Sequence, residues 1–151
     1  MKKVTIAVVS AVCLCSLAVN ALLIKARITY QHQTQDTEAY AMEHAAAEMG
    51  VAQQFLKSHP HYSIAMLAEA GGTLLTLQGV VPPSSKTRTD LFNVGYYLHA
   101  QATPTSTQGL AQFVQSANQL LASHISKGRY DVAYLSSDMA RLNALLPPSF
   151  R

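Results

Sequence analysis

Histidine and carboxylate side chains occur in two short patterns that could bind a metal ion. His59 and His61 lie two residues apart, and Glu43, His44 and Glu48 fall within two turns of a predicted helix. A stable zinc site needs three or four ligands, and no Cys, Asp or Glu lies beside the two histidines of the first pattern. Four-residue spacing places His44 and Glu48 on one helix face, where such pairs usually form a solvated ion pair. We therefore expect no metal ion and no cofactor.

No catalytic motif is recognisable in the sequence. Gly-x-Ser-x-Gly, a phosphate-binding Gly-rich loop and His-Glu-x-x-His are all missing from it. Charged residues make up 13% of the chain, which leaves few candidates for paired acid–base chemistry. His124 lies near a predicted helix end, where the helix dipole stabilises a positive charge. A structural role is therefore expected for it. We predict a non-enzymatic protein, with an enzyme of unfamiliar type as an alternative.

Four tyrosines are the candidate contacts with a protein partner. Tyr96 and Tyr97 follow Phe92 by about one helical turn, and Tyr130 and Tyr134 lie four residues apart. Tyrosine is enriched at protein interfaces because its ring is apolar while its hydroxyl can stay hydrated. Packing in the core, with the hydroxyls at its rim, is the more common role of such rings and stays the alternative.

Residues 28–58 are predicted to form a stalk helix that ends before Pro60. Apolar or small side chains recur there at three- to four-residue spacing, and alanines make part of the surface smooth: Ala39, Met42, Ala45, Ala46, Ala47, Met49 and Leu56. Small residues allow another helix to approach closely. This surface could serve self-association, docking to another envelope protein, or packing against the stalk's own domain.

Residues 59–151 are predicted to form a bundle of about four helices. The predicted helices start near residues 62, 88, 106 and 130, and Ser63 is expected to cap the first. They end near Gln78, before Thr103-Pro104, at Gly128 and near Leu145. Gly71-Gly72 interrupts the first of them and indicates either tight helix packing or a helix end followed by a strand. The helix is preferred because a lone strand would have no partner. The predicted class is all-α.

The first 27 residues contain the strongest pattern in the chain. Lys2 and Lys3 precede an uncharged run over residues 4–24, and Lys25 and Arg27 follow it. Twenty-one residues at about 1.5 Å each span roughly the hydrocarbon core of a bilayer. The sequence therefore predicts a single transmembrane helix over residues 1–27, flanked by these four basic side chains, that continues into the stalk.

A cleaved export signal is the alternative for the same segment. Val19-Asn20-Ala21 fits the small-residue pattern before a signal-peptidase site, and cleavage after Ala21 would release the rest. The apolar run exceeds the 7–15 residues of a typical signal core and continues past this site, which favours an uncleaved anchor. The short basic start places the amino terminus in the cytoplasm. We therefore predict a bacterial inner-membrane protein with most of its chain in the periplasm.

Charge and cysteine content argue against two classes of function, nucleic-acid binding and thiol chemistry. Residues 28–151 carry seven basic and eight acidic side chains, a net charge of −1, which argues against nucleic-acid binding. Cys13 and Cys15 both lie inside the apolar run, so the rest of the chain has no thiol chemistry.

The expected function is therefore that of an accessory protein of a bacterial envelope assembly. Its partners would be the bilayer and another envelope protein or a second copy of itself. The alternative is an exported helical module that binds a small apolar ligand between its helices, near Gly71-Gly72 and the tyrosine pairs.

Overall fold

The computed structural model describes the backbone of residues 2–100 and 107–151 and the side chains of residues 16–100 and 109–151. These ranges contain five α-helices: α1 (Lys2–Phe55), α2 (Pro60–Leu77), α3 (Lys86–Ala100), α4 (Thr107–Ser123) and α5 (Leu135–Leu145). Two antiparallel strands of two residues each, β1 (Ile125–Ser126) and β2 (Arg129–Tyr130), form a hairpin between α4 and α5. The predicted predominance of helices is confirmed, and the hairpin is an addition to the predicted all-α class.

The chain divides into two compact units, Met1–Gln35 and Asp36–Arg151. The predicted stalk ends at residue 58, whereas the helical residues 36–55 belong to the second unit. Their buried side chains recur every three or four residues: Ala39, Met42, Ala45, Ala46, Met49 and Ala52. Most of the alanines of the predicted stalk therefore lie in the core of the second unit.

The first unit is helical and displays apolar side chains to its surroundings. Six of them are about half exposed or more: Leu17, Val19, Leu22, Leu23, Ile24 and Ile28. Lys25 and Arg27 are exposed among them. The side chains of residues 2–15, which include Lys2, Lys3 and more than half of the predicted membrane segment, lie outside the described residues. Within the described part of the chain, no helix combines the length and the apolar character needed to cross a membrane.

Helices α2 and α3 of the second unit pack backbone to backbone at two glycines. A Cβ added at Gly71 would lie 2.6 Å from the carbonyl oxygen of Gly95, and one added at Gly95 would lie 2.9 Å from that of Gly71. α2 continues through Gly71-Gly72 to Leu77, so the prediction of a helix that packs tightly there is confirmed. The same packing leaves no space for a ligand at Gly71.

The start of α2 differs from the prediction. The helix begins at Pro60, whose fixed φ and missing N–H suit the first turn of a helix. Ser63 was expected to cap this helix, but it is fully buried inside it. Pro60 therefore both separates α2 from α1 and starts α2.

The last helix begins at Leu135, and the predicted start at Tyr130 is wrong. Lys127 and Gly128 both have positive φ, at 53° and 75°, a combination typical of a tight two-residue hairpin turn. Gly128 therefore belongs to the turn of the hairpin, and α4 has already ended at Ser123. The Asp131 carboxylate then accepts a hydrogen bond from the N–H of Ala133 and caps a 3₁₀ turn, Val132–Tyr134, that leads into α5.

Candidate functional site

The neighbouring tyrosines of α3 lie in opposite environments. Tyr97 is 5% exposed, and its ring packs edge-on against Phe113 and Phe150, each at a centroid distance of 5.0 Å. Burial raises the pKa of the Tyr97 hydroxyl above its ordinary value. Successive residues of a helix point in different directions, and Tyr96 is 50% exposed. Tyr97 is therefore a core residue, and Tyr96 stays a candidate contact for a partner.

Tyr96 belongs to a group of rings that we call the aromatic surface, which consists of the exposed Phe92 and Tyr96 and the partly buried Phe150. Phe92 is 46% exposed and stacks on Tyr96 with nearly parallel planes and a centroid distance of 5.8 Å. Phe150 lies 6.1 Å from Tyr96 and belongs to a carboxyl-terminal turn. Arg151 Nε donates to the carbonyl oxygen of Leu146 at 2.7 Å, which closes this turn. Two ring faces are thus held in place without being buried.

Tyr130 is a buried hydrogen-bonding residue. It is 1% exposed, its hydroxyl donates to Asp138 Oδ2 at 2.7 Å, and its backbone N–H donates to Glu43 Oε1 at 2.8 Å. Burial and then the adjacent Asp138 carboxylate raise the pKa of this hydroxyl far above its ordinary value. The Tyr130 side chain therefore ties the hairpin to the interior and is not accessible to a partner.

Asp138 is the centre of a buried network with Tyr130 and His124. The carboxylate is fully buried, and its Oδ2 also accepts a hydrogen bond from His124 Nδ1 at 2.7 Å. Tyr134, which is partly exposed, stacks flat on the His124 ring at a centroid distance of 3.9 Å. We call Asp138, Tyr130 and His124 the Asp138 network. The Asp138 carboxylate orients the imidazole as a carboxylate orients a catalytic histidine. In the described part of the chain, however, no hydroxyl nucleophile is hydrogen-bonded to His124.

The sequence offered little sign of this network. His124 was expected to be structural because of the helix dipole, and its observed partner is a carboxylate fourteen residues later. The two residues meet because the hairpin reverses the chain between α4 and α5. Tyr130 and Tyr134 lie four residues apart and were predicted to contact a partner together, yet in the structure Tyr134 packs on His124.

The His44–Glu48 pair is more buried than its spacing suggested. His44 Nδ1 lies 3.1 Å from Glu48 Oε1, and the Glu48 side chain is almost fully buried. Among the described residues, Glu48 Oε2 has no hydrogen-bond partner. Burial raises the pKa of the Glu48 carboxyl, the nearby His44 lowers it, and the Glu69 carboxyl raises it again, with the net result above the ordinary value.

This raised pKa predicts a pH-dependent stability. The folded chain holds the Glu48 proton more tightly than the unfolded chain, so stability falls as pH rises from the ordinary pKa of glutamate through the raised folded pKa. Glu48→Gln should therefore be more stable than the natural chain at pH 8 and no more stable near pH 4. Thermal unfolding of both chains across this range measures the difference, because the other carboxyls are common to both. A constant difference at all pH values would contradict this prediction.

Neither of the two sequence patterns assembles a metal site. His59 precedes α2, where its Nδ1 lies 3.0 Å from Ser58 Oγ and its ring packs edge-on against Phe55. Within the residues that the structure describes, no three His, Cys, Asp or Glu side chains converge on a point where a metal ion could bind.

In the part of the chain that the structure describes, the aromatic surface, the Asp138 network and the His44–Glu48 pair are thus arrangements with functional potential. The first is open to a macromolecular partner, and the other two involve buried carboxylates. No protein-family model, curated protein or solved structure matches this chain.

Proposed function

We propose that this protein is a non-enzymatic, membrane-anchored accessory component of a bacterial envelope assembly. Residues 36–151 would form a helical module that binds another envelope protein on the periplasmic side. The observation that carries the proposal is the aromatic surface, because two stacked rings about half exposed contribute little to the core.

The anchor is supported by sequence and exposure together. The uncharged run over residues 4–24 has the length of a bilayer core, and the apolar side chains described from Leu17 to Ile28 are not buried within their own unit. Lys25 and Arg27 follow the run, where basic side chains commonly face lipid headgroups. A lipid environment would remove this apolar surface from water.

Partner binding is supported by the chemistry of the aromatic surface. Aromatic side chains are enriched at the centres of protein interfaces because rigid rings bury a large area at a low entropic cost. Phe92 and Tyr96 are already stacked, so little side-chain freedom would be lost on binding. Of the four predicted tyrosines, Tyr96 is therefore the contact that we propose, with Tyr134 as a second exposed ring.

Fusion of reporters to the carboxyl terminus tests the anchor and its orientation. A reporter active only outside the cytoplasm should be active, and the fusion should remain in the membrane fraction. Amino-terminal sequencing of the membrane-bound chain should find the original terminus. A chain that begins at Leu22 and is recovered outside the membrane would overturn the anchor and favour the exported form.

Photo-crosslinking in native membranes tests the binding surface. A photoreactive residue in place of Phe92 should crosslink to one envelope protein in fixed proportion, and the same residue at the exposed Ala122 of α4 should not. Tyr96→Ser should reduce recovery of that protein about tenfold, as expected for an interface residue of central importance. Tyr62→Ser, at a tyrosine of similar exposure (49%), is the matched control and should leave recovery unchanged. Equal crosslinking at both positions would contradict the proposal.

A further inference from the structure

A cleft of about 300 Å³ lies between α1 and the carboxyl-terminal half of α2, entirely within the second unit. Its walls are mainly apolar and include Tyr40, Ala41, His44, Thr73, Leu77 and Val80. This volume is at the lower end of the range for small-molecule sites, which typically combine apolar walls with a few oriented polar groups. The cleft does not include any residue of the aromatic surface.

His44 is a polar side chain of this cleft whose ring is held in one orientation. Its Nδ1 lies 3.1 Å from Glu48 Oε1, and the nearly buried Glu48 side chain holds the ring from behind. A carboxylate oxygen only accepts hydrogen bonds, so Nδ1 is the donor in this pair, and whenever the imidazole is neutral its Nε2 is a hydrogen-bond acceptor. The Tyr40 ring lies beside it at a centroid distance of 6.0 Å. The hydroxyl of Thr76, at the cleft wall, is already used as a donor to the carbonyl oxygen of Gly72.

These groups define the chemistry of a ligand. An acceptor nitrogen selects a hydroxyl that donates, and the apolar walls select a hydrocarbon body. A carboxylate would be repelled by the Glu48 carboxyl, which pairs with His44 Nδ1. An ammonium group would lose its hydration against mainly apolar walls, which is costly for a charge. The arrangement therefore favours a neutral molecule.

We propose that the α1–α2 cleft binds a small neutral phenol with a short alkyl substituent, and that the phenolic hydroxyl donates to His44 Nε2. The alkyl group and ring would pack against Tyr40, Ala41 and Leu77. This site is independent of the proposed partner surface, so either can fail without the other.

Two ligands that differ only at the oxygen, where a methyl group replaces the hydroxyl hydrogen in one of them, test the proposal. Full-length protein in lipid nanodiscs is titrated calorimetrically with 4-ethylphenol and with 4-ethylanisole, whose oxygen cannot donate, and empty nanodiscs provide the baseline. We expect 4-ethylphenol to bind about tenfold more tightly, the usual effect of one hydrogen bond. In His44→Leu the two affinities should become equal, and in His61→Leu, which alters an exposed histidine outside the cleft, the tenfold ratio should persist.

A second variant keeps the test decisive if His44→Leu fails to fold. Ala41→Phe fills the cleft while leaving His44 and Glu48 in place, and it should abolish binding of both ligands. The proposal is overturned if neither ligand binds at millimolar concentration, if the two bind equally to the natural chain, or if the tenfold ratio survives in folded His44→Leu.

Discussion

Gly71→Ala is expected to destabilise the second unit by about 3 kcal/mol, the upper part of the range for overpacked sites. The new methyl group would lie 2.6 Å from the carbonyl oxygen of Gly95 and 2.7 Å from the backbone nitrogen of His99. Both atoms belong to the backbone of α3, so no side-chain rotation can relieve the contact. The two helices would have to separate, and Leu74 and Leu98 would lose packing on either side.

Gly72→Ala is the matched control for this prediction. Nothing lies within 4 Å of a Cβ added at Gly72, and alanine is favoured over glycine inside a helix by about 1 kcal/mol. The neighbouring substitution should therefore stabilise the chain. Urea unfolding of the full-length variants in nanodiscs, followed by circular dichroism, measures both changes. Equal effects at the two glycines would show that close packing of α2 on α3 is not what selects glycine at position 71.

Asp138→Ala should be the other severe substitution, because it leaves two hydrogen-bond donors without their acceptor, at a cost of about 1–3 kcal/mol for each donor that is buried. The Tyr130 hydroxyl and His124 Nδ1 would each lose their acceptor, and both lie in or beside the core. Asp138→Asn keeps one acceptor oxygen and should cost less. The hairpin should loosen first, because Tyr130 is its buried anchor.

Asp131→Ala is the control for this prediction, because it removes a nearby cap without changing the Asp138 network. Asp131 is an exposed carboxylate that caps only the short turn before α5, and its removal should cost about 1 kcal/mol. Urea unfolding ranks the three variants, and hydrogen exchange at the N–H of Tyr130 reports on the hairpin directly. A loss in Asp138→Ala no larger than that in Asp131→Ala would mean that the Asp138 network does not hold the hairpin.

The helices were predictable from the sequence because their signals are local. Pro60 separates α1 from α2, the Pro82-Pro83 loop separates α2 from α3, and apolar spacing marks the buried side of each helix. The helix through Gly71-Gly72 was also anticipated, since the alternative strand lacked a partner. These features depend on residues within a few turns of one another.

The hairpin and the start of α5 could not be anticipated in the same way. Val132, Leu135 and Met139 fit a helical stripe, but Lys127 and Gly128 adopt positive φ and reverse the chain. Tyr130 is then secured by Glu43, 87 positions away in the sequence. Local spacing carries no information about such a distant contact, so the interpretation of Gly128 as a helix end was wrong.

The sequence by itself determined the number and approximate limits of most helices, the tight packing implied by Gly71-Gly72, and the apolar segment between two basic pairs. The tertiary structure decided which side chains are accessible. It buried Tyr97 and Tyr130 while exposing Tyr96 and Tyr134, joined His124 to Asp138, and placed Glu48 behind His44 at the wall of a cleft. The physical reason is that periodicity reveals that a helix has a buried side, whereas burial of a particular ring or carboxylate depends on which distant element packs against it.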